Sequence, residues 1–505
     1  MLYFEFQVNA LEHDAAQVLR LVRSMKNTLA PINKIPPDIL SLIPNYWRDA
    51  YRDRGLVRLT HVCRSWRGIL TSCPLLWTRL DCTSVAKTKT HIERSKASPL
   101  EIFLGWSNVS YQKEALILTA THVGRLRTLS TFGDATWVLT VLAEYFSCPV
   151  PLLEKINIHR AYGRAPVLPD KLFNGDLSSL HELRLAGGIM PRPWRGLSNL
   201  TTFKLCYVRG DRILVTQLLD FFESVPHLRY IHFCDSIPNS SNAPAKRVVS
   251  LPHLKNLCII AQPAHSVLPN HLSIPTGASL HLEFTFSGKK SPIPSYLPKS
   301  LGSFHNLSHI TATNLRFGPK RRSVRLNGSS GELLVRGRWA PGGGRPCDGT
   351  SLFLLSVLNQ FDILRSQWVT ITQCHQQDTP APVEGCTIYR VLHSMKDLYT
   401  LALAHCGSLI FISTLNPDRN SDKIVLCPKL EELVIYNKRP DQFHLDELLS
   451  MAEERALRGV KLLGITVVST DVLASTEEVL QLRKHVSRVE YKSGNAPAWD
   501  ALPVT

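Results

Sequence analysis

The sequence predicts an α/β fold in which an all-α N-terminal part is followed by a curved solenoid of alternating strands and helices. Two observations predict it. Up to Leu80, apolar side chains recur at the three- and four-residue spacing of helices. From Pro99 onward, a unit of the form Leu-x-x-(Leu/Ile/Phe)-x-(Leu/Ile/Phe) recurs, and the stretches between its copies, such as 213–224 and 445–458, show helical spacing again. Because each strand-and-helix repeat buries its apolar face only against its neighbours, the repeats stack into a curved array.

The recurring unit defines the predicted core. Its members are Leu153/Ile156/Ile158, Leu180/Leu183/Leu185, Leu200/Phe203/Leu205, Leu228/Ile231/Phe233, Leu254/Leu257/Ile259, Leu398/Leu401/Leu403 and Leu430/Leu433/Ile435. Most neighbouring copies lie roughly 20 to 32 residues apart, close to the period of a leucine-rich repeat. We therefore predict a degenerate leucine-rich-repeat-like solenoid over residues 83–290, further repeats with a cap over 383–492, and a flexible tail over 493–505.

Strand positions that alternate with this core point to the other face of the strands, where a protein target would bind. The predicted target-binding residues are Glu182, Arg184, Thr202, Lys204, Tyr230, His232, Asn256, Thr400 and Glu432, with Ala402 and Val434 beside the last two. Their diversity suits one particular protein partner rather than a repeating polymer. For any single residue, a plain solvated strand position is an equally good interpretation.

The N-terminal segment 1–30 predicts a helix with a short heptad seam. Its apolar residues alternate four- and three-residue steps: Leu11, Ala15, Val18, Val22, Met25 and Leu29. Since an isolated helix of this length is marginal in water, the seam either pairs with another chain or, as we favour, packs against the helices that follow.

The next segment, 31–82, predicts a helical hairpin with an apolar tail. Ile35-Pro36-Pro37-Asp38 begins the first helix, because proline is tolerated in a first turn, and Pro44 ends it. A second helical pattern runs from Leu56 to Leu70, and Cys73-Pro74 ends this helix shortly after Leu70. A unit this small buries too little surface to fold securely alone, so it needs a partner or a neighbouring domain.

Four elements of this hairpin occur in the order of an F-box: Ile35-Pro36, Ile39-Leu40, Val62-Cys63-Arg64-Ser65-Trp66 and Leu76-Trp77. The segment thus resembles the F-box family, whose hairpin docks on the Skp-type adaptor of a cullin-RING ubiquitin ligase while the rest of the chain selects a target. The resemblance implies the same partners here. It also implies an adaptor-binding set of Ile35, Pro36, Ile39, Leu40, Ile43, Leu59, Val62, Cys63, Trp66, Leu76 and Trp77.

Two further segments narrow the resemblance. The stretch after the hairpin, with Leu80-Asp81-Cys82-Thr83 and Pro99-Leu100-Glu101-Ile102, is similar to the junction of basidiomycete-type F-box proteins. The run from His485 to Tyr491 is similar to the closing repeat of fungal F-box proteins with leucine-rich tails.

Residues 291–382 interrupt the repeat pattern and predict an irregular insertion. Asn327-Gly328 between alternating residues indicates a β-hairpin, and the glycine-rich run 341–346 indicates a loop. The insertion carries the densest basic patch: Arg316, Lys320, Arg321, Arg322, Arg325, Arg336, Arg338 and Arg345, near Glu332. We interpret the patch as a solvated hairpin face. A nuclear address or an acidic partner is the alternative, which the net charge of +17 keeps open.

Composition excludes several classes. The 12 cysteines form no C-x-x-C pair, which disfavours a disulfide framework and a zinc site, and no metal or other cofactor is expected.

The opening residues do not form a signal peptide, and no apolar run is long enough to span a membrane, so we expect a cytoplasmic or nuclear protein. Phosphate-loop, zinc-protease and nucleophile-elbow motifs are missing, and the adjacent pairs Cys374-His375 and His405-Cys406 are unsuited to catalysis. We therefore expect no enzymatic activity.

These observations together predict the target-recognition subunit of a Skp/cullin/F-box-type ubiquitin ligase. The alternatives are a scaffold that keeps the F-box fold without degrading its partners, and, less favoured, a basic nucleic-acid-associated protein that uses the patch at 316–345. The latter lacks the interleaved aromatic residues or the reading module that nucleic-acid binding requires.

Overall fold

The computed structural model describes residues 2–43, 53–104, 113–133, 144–146, 148–160, 173, 177–186, 196–206, 214–234, 247–261, 268–286, 310–317, 321–328, 332–339, 357, 367–373, 385–404, 408–420, 422–437, 445–469 and 476–494. They belong to two compact units, Met1–Leu197 and Ser198–Thr505, which are described separately. The predicted loop 341–346, the pairs 374–375 and 405–406, and all of the predicted tail beyond Gly494 lie outside the described residues.

The first unit begins with an all-α part, as predicted. Its helices are α1 (Leu2–Leu29), α2 (residues 37–43), α3 (Asp53–Leu59) and α4 (Arg64–Ser72), with 3-10 turns at Pro31–Lys34 and Pro74–Trp77. Helix α1 begins well before Leu11, the first residue of the predicted seam. The seam residues are exposed, so the expectation that they pack on the following helices is wrong. Instead, the polar face of α1 turns towards α4, with Arg20, Arg23 and Arg64 lining one cavity.

The predicted single helix from Leu56 to Leu70 is two helices, α3 and α4. The backbone of Cys63 is extended, with φ −157° and ψ 173°, and ends the helical path. The Thr60 hydroxyl donates to the carbonyl of Val57 at 2.7 Å, and Arg67 Nε donates to the carbonyl of Thr60 at 2.9 Å. Because side-chain bonds of this kind compete with helical ones, they stabilise the break.

A parallel sheet follows the helical part of the first unit. Its strands pair in sequence order: β1 (Arg79–Leu80), β2 (Leu100–Leu104), β3 (Leu126–Gly133), β4 (Lys155–Arg160) and β5 (Glu182–Ala186). Helix α5 (Val85–Ser95) connects β1 to β2, and α6 (Lys113–Ala120) lies between β2 and β3. The Glu101 amide donates to the carbonyl of Thr78 at 2.9 Å, which ties the helical part to the start of the sheet.

The second unit is also built on a mainly parallel, open sheet. In sequence order its strands are β6 (Thr202–Cys206), β7 (Tyr230–Cys234), β8 (Val249–Ser250), β9 (Asn256–Ala261), β10 (Leu272–Ser273), β11 (Ser279–Phe286), β12 (Ile310–Phe317), β13 (Arg321–Gly328), β14 (Glu332–Trp339), β15 (Trp368–Gln373), β16 (Thr400–Ala404), β17 (Glu432–Asn437), β18 (Gly464–Ser469) and β19 (Arg488–Ser493). Its helices are α7 (Val215–Ser224), α8 (Gly385–Ser394), α9 (Ser408–Leu415), α10 (Leu445–Leu457) and α11 (Thr476–His485). Among the strands that the structure describes here, β8 and β10 pair with each other apart from the main sheet.

The predicted hairpin at Asn327-Gly328 is present, but it is not an insertion beside the sheet. Strand β14 pairs in parallel with β11, β13 pairs antiparallel with both β14 and β12, and β12 pairs in parallel with β15. The antiparallel meander therefore continues the sheet between β11 and β15. The backbone groups of the meander form their hydrogen bonds within the sheet. The sequence did not predict this, because the leucine pattern that marks the other strands is lost over these residues.

The leucine-rich pattern places the core correctly. Every member of the seven triplets is buried, at most 8% exposed, and most strand positions between them are more open, although Cys258 and Ala402 are buried. The two faces of each strand thus differ as the period-two pattern predicts. The observed class is a mixed α/β fold with mostly parallel, open sheets.

Candidate functional site: a helical docking unit and the open faces of the sheets

Helices α2 to α4 and the Pro74–Trp77 turn, together called the docking unit, enclose a small apolar core. Its buried members are Leu40, Leu56, Trp66, Leu70, Leu76 and Trp77, with Ile35, Leu59, Cys63, Ile69 and Cys73 partly buried against them. The two indole groups are satisfied, since Trp66 Nε1 donates to Asn33 Oδ1 at 2.7 Å and Trp77 Nε1 donates to the carbonyl of Leu70 at 2.8 Å. Buried tryptophans need such partners, so these bonds fix how the helices pack.

This core corrects part of the predicted adaptor-binding set. Leu40, Trp66, Leu76 and Trp77 are at most 6% exposed, so they support the docking unit from within and offer no contact area to a partner. Ile35, Leu59 and Cys63 are partly buried against the same core, and Ile43 is half-buried. The set that reaches solvent consists of Pro36, Ile39 and Val62.

Further exposed apolar side chains in this region were not predicted from the sequence. Leu42 is 50% exposed and lies three residues after Ile39, so the two share one face of α2, while Leu40 occupies the other. Val57 in α3 and Leu75 in the Pro74–Trp77 turn are also about half exposed. These side chains, rather than the buried tryptophans, form exposed apolar surface on the docking unit.

The end of the docking unit is tied to α5. The Trp77 ring meets His91 edge-on, with ring centroids 5.1 Å apart, and the Arg94 guanidinium lies over it at 4.3 Å. His91 Nδ1 is 2.8 Å from the carbonyl oxygen of Arg79. Among cation–π interactions, a cation over the face of an indole is the strongest. Arg94, which follows the helical hairpin in the sequence, therefore stabilises the packing of Trp77 at the end of that hairpin.

In the first unit, the open face is the sheet face that carries the half-buried alternate positions of β1 to β5. It includes the predicted residues Glu182 and Arg184, which form an ion pair with each other, while Lys155 Nζ lies 3.2 Å from Glu182. Burial alone would raise the pKa of the Glu182 carboxyl, but Arg184 and Lys155 lower it below its usual value. Glu182 is therefore ionised at neutral pH and already paired.

An aromatic shelf, formed by Phe103, Phe132 and His159, lies on the same open face. Phe103 and Phe132 have ring centroids 5.1 Å apart, and His159 stacks on Phe132 at 4.8 Å with a 6° interplanar angle. Arg79 lies 4.5 Å over the Phe103 ring. Burial, together with the positive charge of Arg184, lowers the pKa of His159, so its ring is neutral near pH 7. The shelf is an apolar surface with a guanidinium nearby.

In the second unit, the register brings several predicted residues together. Thr202, Tyr230 and Asn256 form one row across β6, β7 and β9, and Lys204 and His232 lie in the next row. Tyr230 is 44% exposed and the others are half-buried. These residues form one surface in this unit.

The row of Lys204 and His232 continues into a cluster that the sequence did not reveal. Cys258 pairs in register with His281, and its Sγ lies 3.7 Å from His281 Nδ1. His281 Nε2 is 3.8 Å from Glu283 Oε2, whereas Arg336 donates to the same oxygen at 3.1 Å. Since 3.8 Å exceeds hydrogen-bonding range, the carboxylate serves the Arg336 ion pair rather than the imidazole. The geometry therefore favours a packed polar cluster over a nucleophile with its base.

Two more predicted residues, Thr400 and Glu432, lie side by side on β16 and β17. The neighbouring Ala402 is buried, which corrects its assignment to the open face, because an alanine is short enough for adjacent side chains to cover it. Glu432 is half-buried and accepts a hydrogen bond from Arg488 at 2.7 Å.

Part of the basic patch is neutralised by carboxylates. Arg325 lies 2.8 Å from Glu332, and Arg336 is paired with Glu283. Arg316, Arg321, Arg322 and Arg338 occupy strands β12 to β14, while Lys320 and Arg345 lie outside the described residues. The interpretation of the patch as a solvated face is therefore incomplete, because Arg325 and Arg336 are held in ion pairs.

Within the described residues, no group of three or more His, Cys, Asp or Glu side chains is placed to hold a metal ion. Over the same residues, no helix combines the length and the apolar character that crossing a membrane requires.

The sequence pattern did not predict the aromatic shelf or the Cys258 cluster. Their residues come from separate strands, and β2 and β3 lack the full leucine pattern that marked the other strands. The signal that finds them is the alternation within each strand, combined with the register between strands.

Comparison with known proteins agrees with the geometry of the docking unit. No curated protein shows a significant match to the chain. Residues 32–83, which span the core of α2 to α4 and the Pro74–Trp77 turn, match the family described as F-box-like. The chain therefore carries an F-box-like domain at residues 32–83, and such domains bind the Skp-type adaptor of a ubiquitin ligase.

Proposed function

We propose that this protein is the non-catalytic target-recognition subunit of a Skp/cullin/F-box-type ubiquitin ligase in the cytoplasm or nucleus. The observation that supports it most is the F-box-like domain, whose described helices enclose an apolar core and expose the apolar side chains of Ile39 and Leu42. Residues Ile39 and Leu42 on one face of α2 are the best placed for this contact.

The remainder of the chain would hold the target. We propose that the buried leucine triplets are leucine-rich-repeat-like units of a curved solenoid, and that the open faces bind a protein. The aromatic shelf in the first unit, with Arg79 over one ring and Arg184 near the other end, suits a peptide that carries an aromatic side chain next to acidic residues.

The proposed mechanism is positional. The docking unit joins the chain to the ligase, and the open faces hold the target so that its lysines lie near the ubiquitin-charged enzyme. Rate enhancement then comes from proximity and orientation, and no acid or base of this chain takes part.

Affinity capture from cells with blocked proteasomes tests the two halves separately. Ile39→Asp/Leu42→Asp is expected to lose the adaptor and keep bound targets, while Phe103→Ala/Phe132→Ala is expected to keep the adaptor and lose targets. Leu152→Ala, which removes an exposed apolar side chain from the first unit outside its strands, is the matched control and should keep both. Loss of both partners from either double variant, with its fold intact by circular dichroism, would contradict the proposal.

A further inference from the structure

Helix α1 carries a longer apolar seam than residues 11–29. Because the helix begins at Leu2, the heptad pattern extends back through Val8 and Phe4 without a break. The eight seam residues, all apolar and all exposed, are Phe4, Val8, Leu11, Ala15, Val18, Val22, Met25 and Leu29. A 28-residue helix with an apolar residue at every a and d position has the pattern of a coiled-coil strand.

The seam points away from the rest of its own unit. The residues of α1 that line the cavity shared with α4 are Arg20, Arg23, Ser24, Asn27 and Thr28. Most of these occupy the b, c and f positions, opposite the seam. The link Pro31–Lys34 holds this orientation, since Asn33 donates to the carbonyl of Asn27 at 2.6 Å and accepts from Trp66. The apolar face is therefore open to a partner.

The charges of α1 identify that partner and its direction. The acidic residues Glu5, Glu12 and Asp14 lie in the first half of the helix, and the basic residues Arg20, Arg23 and Lys26 lie in the second half. A second copy in the antiparallel direction places each acidic half against a basic half, and the two helix dipoles also oppose favourably. A parallel copy would place like charges side by side.

The antiparallel arrangement also pairs the whole seam. Phe4 then faces Leu29, Val8 faces Met25, Leu11 faces Val22, and Ala15 faces Val18 of the second copy. At the flanking e positions, Glu5 of one copy meets Lys26 of the other twice per dimer. We propose that α1 is a dimerisation element through which two copies of this chain associate as an antiparallel coiled coil.

Sedimentation equilibrium of the full chain tests the association. A concentration-dependent dimer is expected, and Val18→Asp/Val22→Asp should weaken it by at least about a hundredfold, because it buries unpaired charges in the seam. Since both valines are exposed in the monomer, the variant should fold normally. Ala10→Asp/Gln17→Asp adds the same charge on the opposite face and should still dimerise.

Cross-linking and charge exchange test the direction. Leu11→Cys/Val22→Cys should give links between positions 11 and 22 of different copies, mapped by mass spectrometry, while each single variant should give no link between identical positions. Glu5→Lys should raise the dimer dissociation constant by roughly fivefold, and Glu5→Lys/Lys26→Glu should restore it. A monomer at all concentrations, a dimer that survives the seam variant, or links between identical positions would overturn the proposal. So would a seam that binds only the Skp-type adaptor.

Discussion

Glu432 and Arg488 form an ion pair across an intervening strand. Arg488 donates to Glu432 Oε1 at 2.7 Å, although β17 and β19 are separated by β18. The residue between them in register is Gly464, and a Cβ at that position would overlap the Glu432 carboxylate, about 2.6 Å from its Cδ. The glycine therefore leaves the space through which the carboxylate reaches the guanidinium.

Gly464→Ala is expected to displace the Glu432 side chain and break this ion pair. Because the clash involves only the end of a flexible side chain and the arginine is 58% exposed, the loss in free energy of unfolding should stay below about 1 kcal/mol. Urea unfolding of Gly464→Ala and of Arg488→Met measures it. In Arg488→Met the alanine substitution should add little, and a full additive loss would contradict the link between the two positions.

Arg455 is expected to be a major stabilising residue of the second unit. It is fully buried, and its guanidinium donates to the carbonyls of Leu426 at 2.8 Å and Cys427 at 3.0 Å. Burial lowers the pKa of the Arg455 guanidinium. The backbone of Cys427, one of the two acceptors, is left-handed, with φ 48°. Arg455→Met removes the guanidinium donor from the buried Leu426 carbonyl and one of the two donors of the Cys427 carbonyl, which also accepts from the Leu430 amide at 3.0 Å, and should cost roughly 2–4 kcal/mol of unfolding free energy.

Arg458, which directly follows the same helix, supplies the control for that experiment. It is exposed and donates to the carbonyl of Lys423 at 2.7 Å, so Arg458→Met should cost less than about 1 kcal/mol. Equal effects of the two substitutions in chemical denaturation would show that burial does not set the contribution of Arg455.

Cysteine reactivity should follow burial. Burial raises the pKa of Cys82 to about 11 and that of Cys427 to about 12, whereas Cys148 is exposed. Since the thiolate is the reactive form, Cys82 and Cys427 should alkylate at least about a hundredfold more slowly than Cys148 at pH 8. Mass spectrometry after timed iodoacetamide treatment measures the rates, and unfolding in urea should equalise them. Rapid labelling of Cys427 in the folded chain would contradict its described environment.

Acidification should destabilise the first unit through His159. Burial and the Arg184 charge lower its folded pKa below the unfolded value of about 6.5. The unfolded state then binds more protons below that pH, so the stability contribution is complete above pH 6.5 and falls as the pH decreases towards the folded pKa. Thermal unfolding between pH 7.5 and 5 should show a smaller loss for His159→Phe, which keeps the stack on Phe132. Identical slopes for the two proteins would contradict this role.

The buried pattern of the fold was predictable, and its exceptions have physical reasons. The spacing alone predicts that a leucine at a repeat position, such as Leu183 or Leu401, is buried. The break between α3 and α4 was not visible, because Leu59, Val62 and Trp66 keep helical spacing through it, and the break depends on side-chain bonds of Thr60 and Arg67. The pairing of β11 with β14, rather than with β12, the next strand in sequence, was also not predictable, because it joins residues far apart in the chain.

The candidate site was predicted in outline only. The F-box pattern located the docking unit, but a motif does not separate residues that build a core from residues that face a partner. Trp66 is buried in the core and Ile39 is exposed, and only packing shows the difference. The exposed residues Leu42 and Leu75 carry no motif signal of their own.

Helix α2 is proposed to carry the adaptor contact of a ligase subunit. The most direct test is the mass, by light scattering, of the complex that the purified chain forms with a purified Skp-type adaptor. A stoichiometric complex is expected for the wild type and for the exposed-leucine control Leu457→Asp/Leu480→Asp, and none for Ile39→Asp/Leu42→Asp. A folded wild type that forms no complex, or an α2 variant that binds as tightly as the control, would contradict it. The first of these outcomes would favour a non-degradative scaffold.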